Sequence, residues 1–294
     1  MNPEPASNTQ LVAQLVGLLQ LQDLGGDRFL GQSENTGNSS VFGGQVLGQA
    51  LAAANRTVDA SRAVHSMHAY FLLPGEFTPI EYAVERVRDG RSFTTRHVVA
   101  RQRGRTIFEL SASFQNRDAG IEHQAPMPDV PPPDALQNEI EHRKLALDRL
   151  PERWRVKALQ PRGLEVRPVD PLDPIAPPVR PAHMQMWLRI AAPLPDDLSI
   201  HRELLAYASD HGLLGVGLRP HGLTFFSGQT RMASLDHAMW FHRDFRFDDW
   251  LLYSMDSPNA SGARALCRGS FYTRSGVLVA STAQEGMVRM REQG

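Results

Sequence analysis

Three polar residues far apart in the chain, Asp210, Ser234 and Gln284, form a set that could do chemistry, with His211, Asp236 and His237 close by in sequence. Asp210 falls in or just after the apolar stripe of a helix-patterned stretch. Gln284 sits on a strand-patterned run whose alternate members Leu278, Ala280 and Thr282 put it on the inward side. A carboxylate and a carboxamide on a core face need partners, because a buried polar group left unpaired costs about 1–3 kcal/mol. Such a set either closes a structural hydrogen-bond network or does a job, and the pattern alone favours the structural network.

Other chemistries have less support. No G-x-S-x-G elbow, no P-loop, no G-x-G-x-x-G opening a helix and no H-E-x-x-H occurs in the sequence. His65 and His68, three apart on a strand pattern, face opposite ways, which is poor geometry for a metal. They are expected to hydrogen-bond locally or line an edge, and Asp236 and His237 to organise a strand end. The single cysteine, Cys267, excludes an intramolecular disulfide and reads as a small buried hydrophobe in a strand.

Composition narrows the class further. The chain has 294 residues, 41% hydrophobic and 21% charged, enough for two ordinary domains of roughly 100–150 residues each. A net charge of −1 gives no argument for nucleic acid. The basic cluster Arg101-Gln102-Arg103-Gly104-Arg105 could meet a phosphorylated ligand, and is read instead as a solvated hairpin turn. The first residues lack the basic-then-apolar order of a signal peptide, and the last four, Arg291-Glu292-Gln293-Gly294, are no peroxisomal address. No apolar run approaches the ~20 residues of a membrane helix. A cytoplasmic protein without membrane association is expected.

The elements that must position the polar set come in two similar series. Leu11, Val12, Leu15, Val16, Leu18 and Leu19 recur at helical spacing, with Thr9 or Asn8 as N-cap. A Gly/Asn/Ser loop is expected over residues 25–40, then a helix over 45–55 whose many small residues suit enclosure by a curved sheet. From Val64 the period becomes two, with Met67, Ala69 and Phe71, then Phe108, Leu110, Ala112 and Phe114, facing inward. Asp89-Gly90 and Arg103-Gly104 are turn signals. Prolines from Pro126 to Pro181 mark a linker over 117–181, with a charged surface helix expected at 135–150. The second series follows: a strand at 184–190, a helix at 199–214, and strands at 235–241, 250–254, 263–273 and 277–285, with Ser275-Gly276 as a hairpin turn. Helix then meander, twice, implies a tandem duplication.

The residues also carry a family resemblance. Phe42-Gly43-Gly44-Gln45-Val46, Val64-His65-Ser66-Met67-His68-Ala69-Tyr70-Phe71, Arg88-Asp89-Gly90-Arg91-Ser92-Phe93, Ser209-Asp210, Leu235-Asp236-His237-Ala238-Met239-Trp240-Phe241-His242-Arg243 and Ser281-Thr282-Ala283-Gln284-Glu285-Gly286 resemble the type II acyl-CoA thioesterase family, the TesB-like double hot dog enzymes. The resemblance spans nearly the whole chain in order and leaves only the linker weakly matched. It implies an α+β tandem hot dog fold: an N-terminal unit over 1–116, the linker over 117–181, and a C-terminal unit over 182–294 that carries the site.

It further implies hydrolysis of fatty acyl-CoA to free acid and CoA by a water held by Asp210, Ser234 and Gln284, with no cofactor and no metal. A homo-oligomer, dimer or tetramer, is also implied. Asp256, where relatives often have Glu, and Pro258-Asn259 depart mildly from the family pattern. The first copy offers Ala112 or Ser113 in place of Gln284, which implies one site per chain. Two alternatives remain: a hot dog enoyl-CoA hydratase or dehydratase, which needs a histidine and a carboxylate poised together, and a non-catalytic acyl-CoA binding protein.

Overall fold

The computed structural model describes residues 6–35, 37, 39–150 and 152–291. The N-terminal leader and the final residues on which the targeting expectations rest lie largely outside that range.

Among the described residues, one antiparallel sheet of 13 strands organises the chain. In the first half, β1 (Gln22–Gly25) and β2 (Arg28–Gly31) precede a long helix, and β3 (Ala63–Phe71), β4 (Ile80–Asp89), β5 (Phe93–Gln102) and β6 (Arg105–Gln115) follow it. The second half repeats the plan with β7 (Leu164–Pro168) and β8 (His183–Ile190), a long helix, and then β9 (Thr230–Ser234), β10 (Asp236–Phe241), β11 (Leu251–Ser261), β12 (Arg264–Thr273) and β13 (Leu278–Met290). The strand order β1-β2-β4-β5-β6-β3 continues directly into β10-β13-β12-β11-β8-β7, with β9 on β13. The halves therefore join where β3 meets β10, with Met67 opposite Met239. That seam pairs what would be two open sheet edges, leaving β1 and the proline-ended β7 as the outer strands.

Each half wraps its sheet around one helix. The helix α1 (Asn8–Leu19) packs outside on α2 (Gly43–Asn55), which lies against α5 (Leu198–Ser209). Strand burial alternates as the period-two pattern requires, clearest in β5, where Thr94, Arg96, Val98, Ala100 and Gln102 are buried. Close helix contact explains the small residues of α2: a methyl on Gly48 would sit 3.1 Å from the Glu203 carbonyl oxygen. Cys267 is fully buried in β12, as expected of a small core residue.

Several local expectations change. Ser7, not Thr9 or Asn8, caps α1, because Ser7 and Gln10 form a reciprocal capping box. The expected loop over 25–40 contains β2, reached through a tight turn in which Gly25, Gly26 and Asp27 take positive φ. The helix expected at 199–214 ends at Ser209, because Gly212 at φ 77° diverts the chain into a 3-10 segment, Leu213–His221. The single linker helix is instead a short series containing α3 (Glu139–Lys144) and α4 (Glu152–Leu159). The same stretch supplies β7, which pairs with β8 as β1 does with β2. The basic cluster at 101–105 forms the β5–β6 hairpin turn, with Arg103 and Gly104 at positive φ.

Candidate active site

All three of Asp210, Ser234 and Gln284 meet. Asp210 is the residue after α5, Ser234 ends β9, and Gln284 lies fully buried in β13. The Gln284 amide donates to Asp210 Oδ1 at 2.9 Å and to Ser234 Oγ at 2.6 Å. The Ser234 hydroxyl in turn reaches Asp210 Oδ1 at 3.4 Å. The other carboxylate oxygen, Oδ2, accepts the backbone N–H of Gly44 at 3.1 Å.

The first half thus completes the site from the N-terminus of α2. Phe42 occupies the N-cap position and has no side-chain oxygen to offer the helix. Asp210 supplies that oxygen from the other half and places its charge at the positive end of the helix. Two glycines make the approach possible. A methyl on Gly43 would lie 2.7 Å from Asp210 Oδ2, and one on Gly44 would lie 2.0 Å from the Tyr207 carbonyl oxygen. In the sequence these glycines carry one signal of this role: a pair of them opens a helix that lacks a capping side chain.

A buried framework fixes the end of α5. The Tyr253 hydroxyl, stacked on Phe271, donates to the Ser209 carbonyl at 2.8 Å. Ser209 Oγ donates to the Ala206 carbonyl at 2.8 Å and meets His237 Nε2 at 2.9 Å. His237 is fully buried, and burial pushes its pKa down to about 4, so it stays neutral. Asp236 Oδ1 accepts the Glu285 N–H at 2.7 Å, which ties the start of β10 to β13. Asp236 organises the strand end, as expected, whereas His237 holds the end of α5 through Ser209. His65 likewise hydrogen-bonds locally, to Ser113 at 2.8 Å, and His68 sits against the edge of Trp240.

The linker also reaches the site. His211 Nε2 faces Glu139 Oε2 of α3 at 3.4 Å, and Arg143 pairs with the same carboxylate at 2.6 Å. Sequence reasoning treated α3 as surface and gave no hint of this contact.

Electrostatics set Asp210 apart. Burial raises its pKa to about 6, although Gln284, the Gly44 N–H and Ser234 all stabilise its charged form. The result is a carboxylate that is ionised at neutral pH and more basic than an ordinary one.

The duplicate position in the first half lacks this chemistry. Ser234 pairs with Gly286 and the register on β13 shifts by one residue between Ser234 and Ala238, just as Val64 pairs with Phe114 and the register on β6 shifts between Val64 and Ser66. The hairpin irregularities at Ala100 and Phe271 align the remaining strands, with Phe108 matching Ala280. Counting along β6 and β13 then sets Ala112 where Gln284 stands. Of the two candidates, Ala112 and Ser113, the register selects Ala112, and the first half has neither the amide nor the hydroxyl.

The comparisons agree with the fold. A model described as the acyl-CoA thioesterase N-terminal domain matches residues 32–115, and one described as acyl-CoA thioesterase matches residues 167–287. The chain is 38% identical to acyl-CoA thioesterase 2 of Haemophilus influenzae, over 97% of this chain and 100% of that protein. It is also 38% identical to human acyl-coenzyme A thioesterase 8, over 94% of this chain and 89% of the relative. Among solved structures it matches acyl-CoA thioesterase II TesB2 of Mycobacterium marinum, with TM-score 0.76 and 40% identity over 94% and 98% of the two chains. The fold is a double hot dog of the α+β class. The chain belongs to the acyl-CoA thioesterase family.

Proposed function

We propose that this protein hydrolyses acyl-CoA thioesters to a free acid and coenzyme A, through a water held by Asp210, Ser234 and Gln284. The observation that carries the reading is the convergence of the Gln284 amide on both Asp210 Oδ1 and Ser234 Oγ, beside the N-terminus of α2. A thioester is already an activated acyl group, so a positioned water suffices and no covalent nucleophile is needed. Asp210, with its pKa raised to about 6, accepts a proton from the water as the oxygen attacks the carbonyl carbon. Ser234 and Gln284 hold that water by its remaining hydrogen-bonding positions. The carbonyl oxygen becomes an oxyanion at the amino end of α2, where backbone N–H groups and the helix dipole favour negative charge. Collapse expels the CoA thiolate, a good leaving group that takes up a proton in solution. The acyl chain lies in an apolar slot between helix and sheet.

The hydratase alternative would have to draw on His211, which faces Glu139 and adjoins Asp210, because His237 is fully buried and neutral. The Gln284 and Ser234 contacts to Asp210 favour hydrolysis. The same reading makes this a cytoplasmic enzyme of fatty acid metabolism that works as a homo-oligomer. Among the described residues no helix is long and apolar enough to cross a membrane.

The test is release of free thiol from a panel of acyl-CoA esters by wild type, Asp210→Ala and Gln284→Ala. The expected result is hydrolysis by the wild type and a loss of about 100-fold or more in kcat for both variants, each remaining folded. Hydrolysis that survives both substitutions would refute the site, and no hydrolysis of any ester would refute the activity.

A further inference from the structure

The duplicate of the catalytic neighbourhood has been rebuilt. Val64 stands in the place of Ser234, as the matching register shifts show. Phe241 stands in the place of Phe71: the residues after them, His242 and Leu72, donate in the same way to Val279 and Ile107. Val64 and Phe241 line a pocket of about 90 Å³ at the opposite end of β10 from Ser234, roughly 20 Å along the strand.

Three arginines from three separate elements line this pocket: Arg117 after β6, Arg202 from α5 and Arg243 after β10. Arg202 is nearly sealed, its side chain only 8% exposed. The lining contains one carboxylate, Asp244, and Arg117 and Arg202 share it. Arg243 donates to the Leu278 carbonyl at 3.0 Å and touches Glu122, a side chain 78% exposed, at 3.5 Å. Asp197, at the N-cap of α5, adds a further favourable field on Arg202. His65 and His242 also line the pocket, hydrogen-bonded to Ser113 and Ser281, and burial lowers the pKa of each, so they add no charge at neutral pH.

Within the lining itself three arginines stand against one carboxylate, which leaves the wall of a partly enclosed space positive. Each guanidinium carries five donors in a planar fork, and Arg117 and Arg202 direct only part of theirs to Asp244. Such forks match phosphate oxygens, and a recessed basic pocket focuses the field on an entering anion. The pocket is small, about 90 Å³, which suits a phosphoryl group and not an acyl chain. The bland reading is a hydrated cluster of surface arginines; the buried Arg202 and the convergence of three elements argue against it.

We propose that this pocket is a second, non-catalytic site that binds a phosphate group, either as the free ion or as the phosphomonoester of a nucleotide. The proposal does not depend on the thioesterase reading.

The experiment is calorimetric titration of inorganic phosphate, and separately of adenosine 3′,5′-bisphosphate, into three proteins. These are wild type, Asp210→Asn, and the double variant Arg117→Met with Arg243→Met. The double variant keeps the buried Arg202–Asp244 pair, and circular dichroism checks its fold. At least one ligand is expected to bind wild type saturably, one per chain, and to bind the double variant at least tenfold more weakly. Asp210→Asn is expected to bind within twofold of wild type. Equal binding of both ligands identifies a site for phosphate itself, and binding of the bisphosphate alone identifies a nucleotide site. Absence of saturable binding by wild type, unchanged affinity in the double variant, or loss of binding in Asp210→Asn would each overturn the proposal. Should the double variant unfold, Arg117→Gln, at a side chain 67% exposed, replaces it with an expected threefold weakening.

Discussion

Asp210 Oδ2 accepts the N–H of Gly44 at 3.1 Å across 166 residues of sequence, so a carboxylate from the second half caps the central helix of the first. One bond therefore links the fold to the proposed chemistry. It closes an N-terminus that Phe42 cannot cap, and it points a helix end at the place where negative charge would develop. Neither half alone contains this arrangement. Duplication gave the chain two helices meeting back to back, and the surviving site uses the end of one and the start of the other.

The elevated pKa of Asp210 gives a signed prediction for stability. Unfolded, this carboxyl titrates near 3.8; folded, at about 6. The folded state thus holds its proton longer, and stability falls as pH rises from about 4 to 6 and stays reduced above. Asp210→Asn never ionises, but its NH2 must oppose the donors at Gly44 or Gln284, a cost that does not change with pH. Measured against wild type, its stability should therefore improve by about 1–3 kcal/mol between pH 4 and pH 7.5. Urea unfolding of both proteins across that range measures it, and a stability difference that does not change with pH would contradict it. Wild-type kcat/KM should rise about tenfold per pH unit below 6 and level off above.

Gly44 should tolerate no side chain. A methyl there would lie 2.0 Å from the Tyr207 carbonyl oxygen and 2.4 Å from the Phe42 ring, so α2 and α5 would have to part. Gly44→Ala is expected to cost about 2–4 kcal/mol and most of the activity. Gly17, inside α1 with nothing within 4 Å, is the control: Gly17→Ala should be neutral or stabilise by up to about 1 kcal/mol. Thermal melts of the two variants separate a steric effect from a general loss of glycine.

The duplicated plan was legible in the sequence because it rests on periodicity: small residues along α2, alternation in β5 and β6, and glycine turns between strands. The three polar residues were legible as a set only through the family motif, since nothing in local pattern says that Asp210 and Gln284, 74 residues apart, will meet. What escaped reading had no local signal. The Gly44 contact crosses between halves, and α3 reaches His211 through folding of a proline-rich segment whose local sequence reads as surface. β7 was hidden because Pro168 and the prolines after it advertise loop.

Ser234 offers a separate test of how the water is held. Its hydroxyl oxygen accepts from Gln284 at 2.6 Å and its proton reaches Asp210 at 3.4 Å. Ser234→Thr keeps both functions and should retain kcat within about fivefold, whereas Ser234→Ala should lower kcat by about 10- to 100-fold with little change in KM. Steady-state kinetics on one good substrate decides it. A rise in KM alone for Ser234→Ala would mean that the hydroxyl binds substrate and not water.

The last prediction concerns the segment between the halves. Burial alone would raise the pKa of Glu139, but Arg143 and His211 beside it hold it down to about 2, against 4.5 for a free glutamate. A carboxyl with a depressed folded pKa stabilises the protein fully above pH 4.5 and loses that contribution as pH falls toward 2. Glu139→Gln should therefore cost about 1–3 kcal/mol at pH 7, with the deficit shrinking through the acid range. Because His211 adjoins Asp210, loosening α3 should also lower kcat several-fold without altering the pH at which the rate levels off. Unfolding at pH 7 and pH 3, paired with a pH–rate profile, checks both parts. A variant with wild-type stability at pH 7 would show that α3 lies on the surface without holding the site.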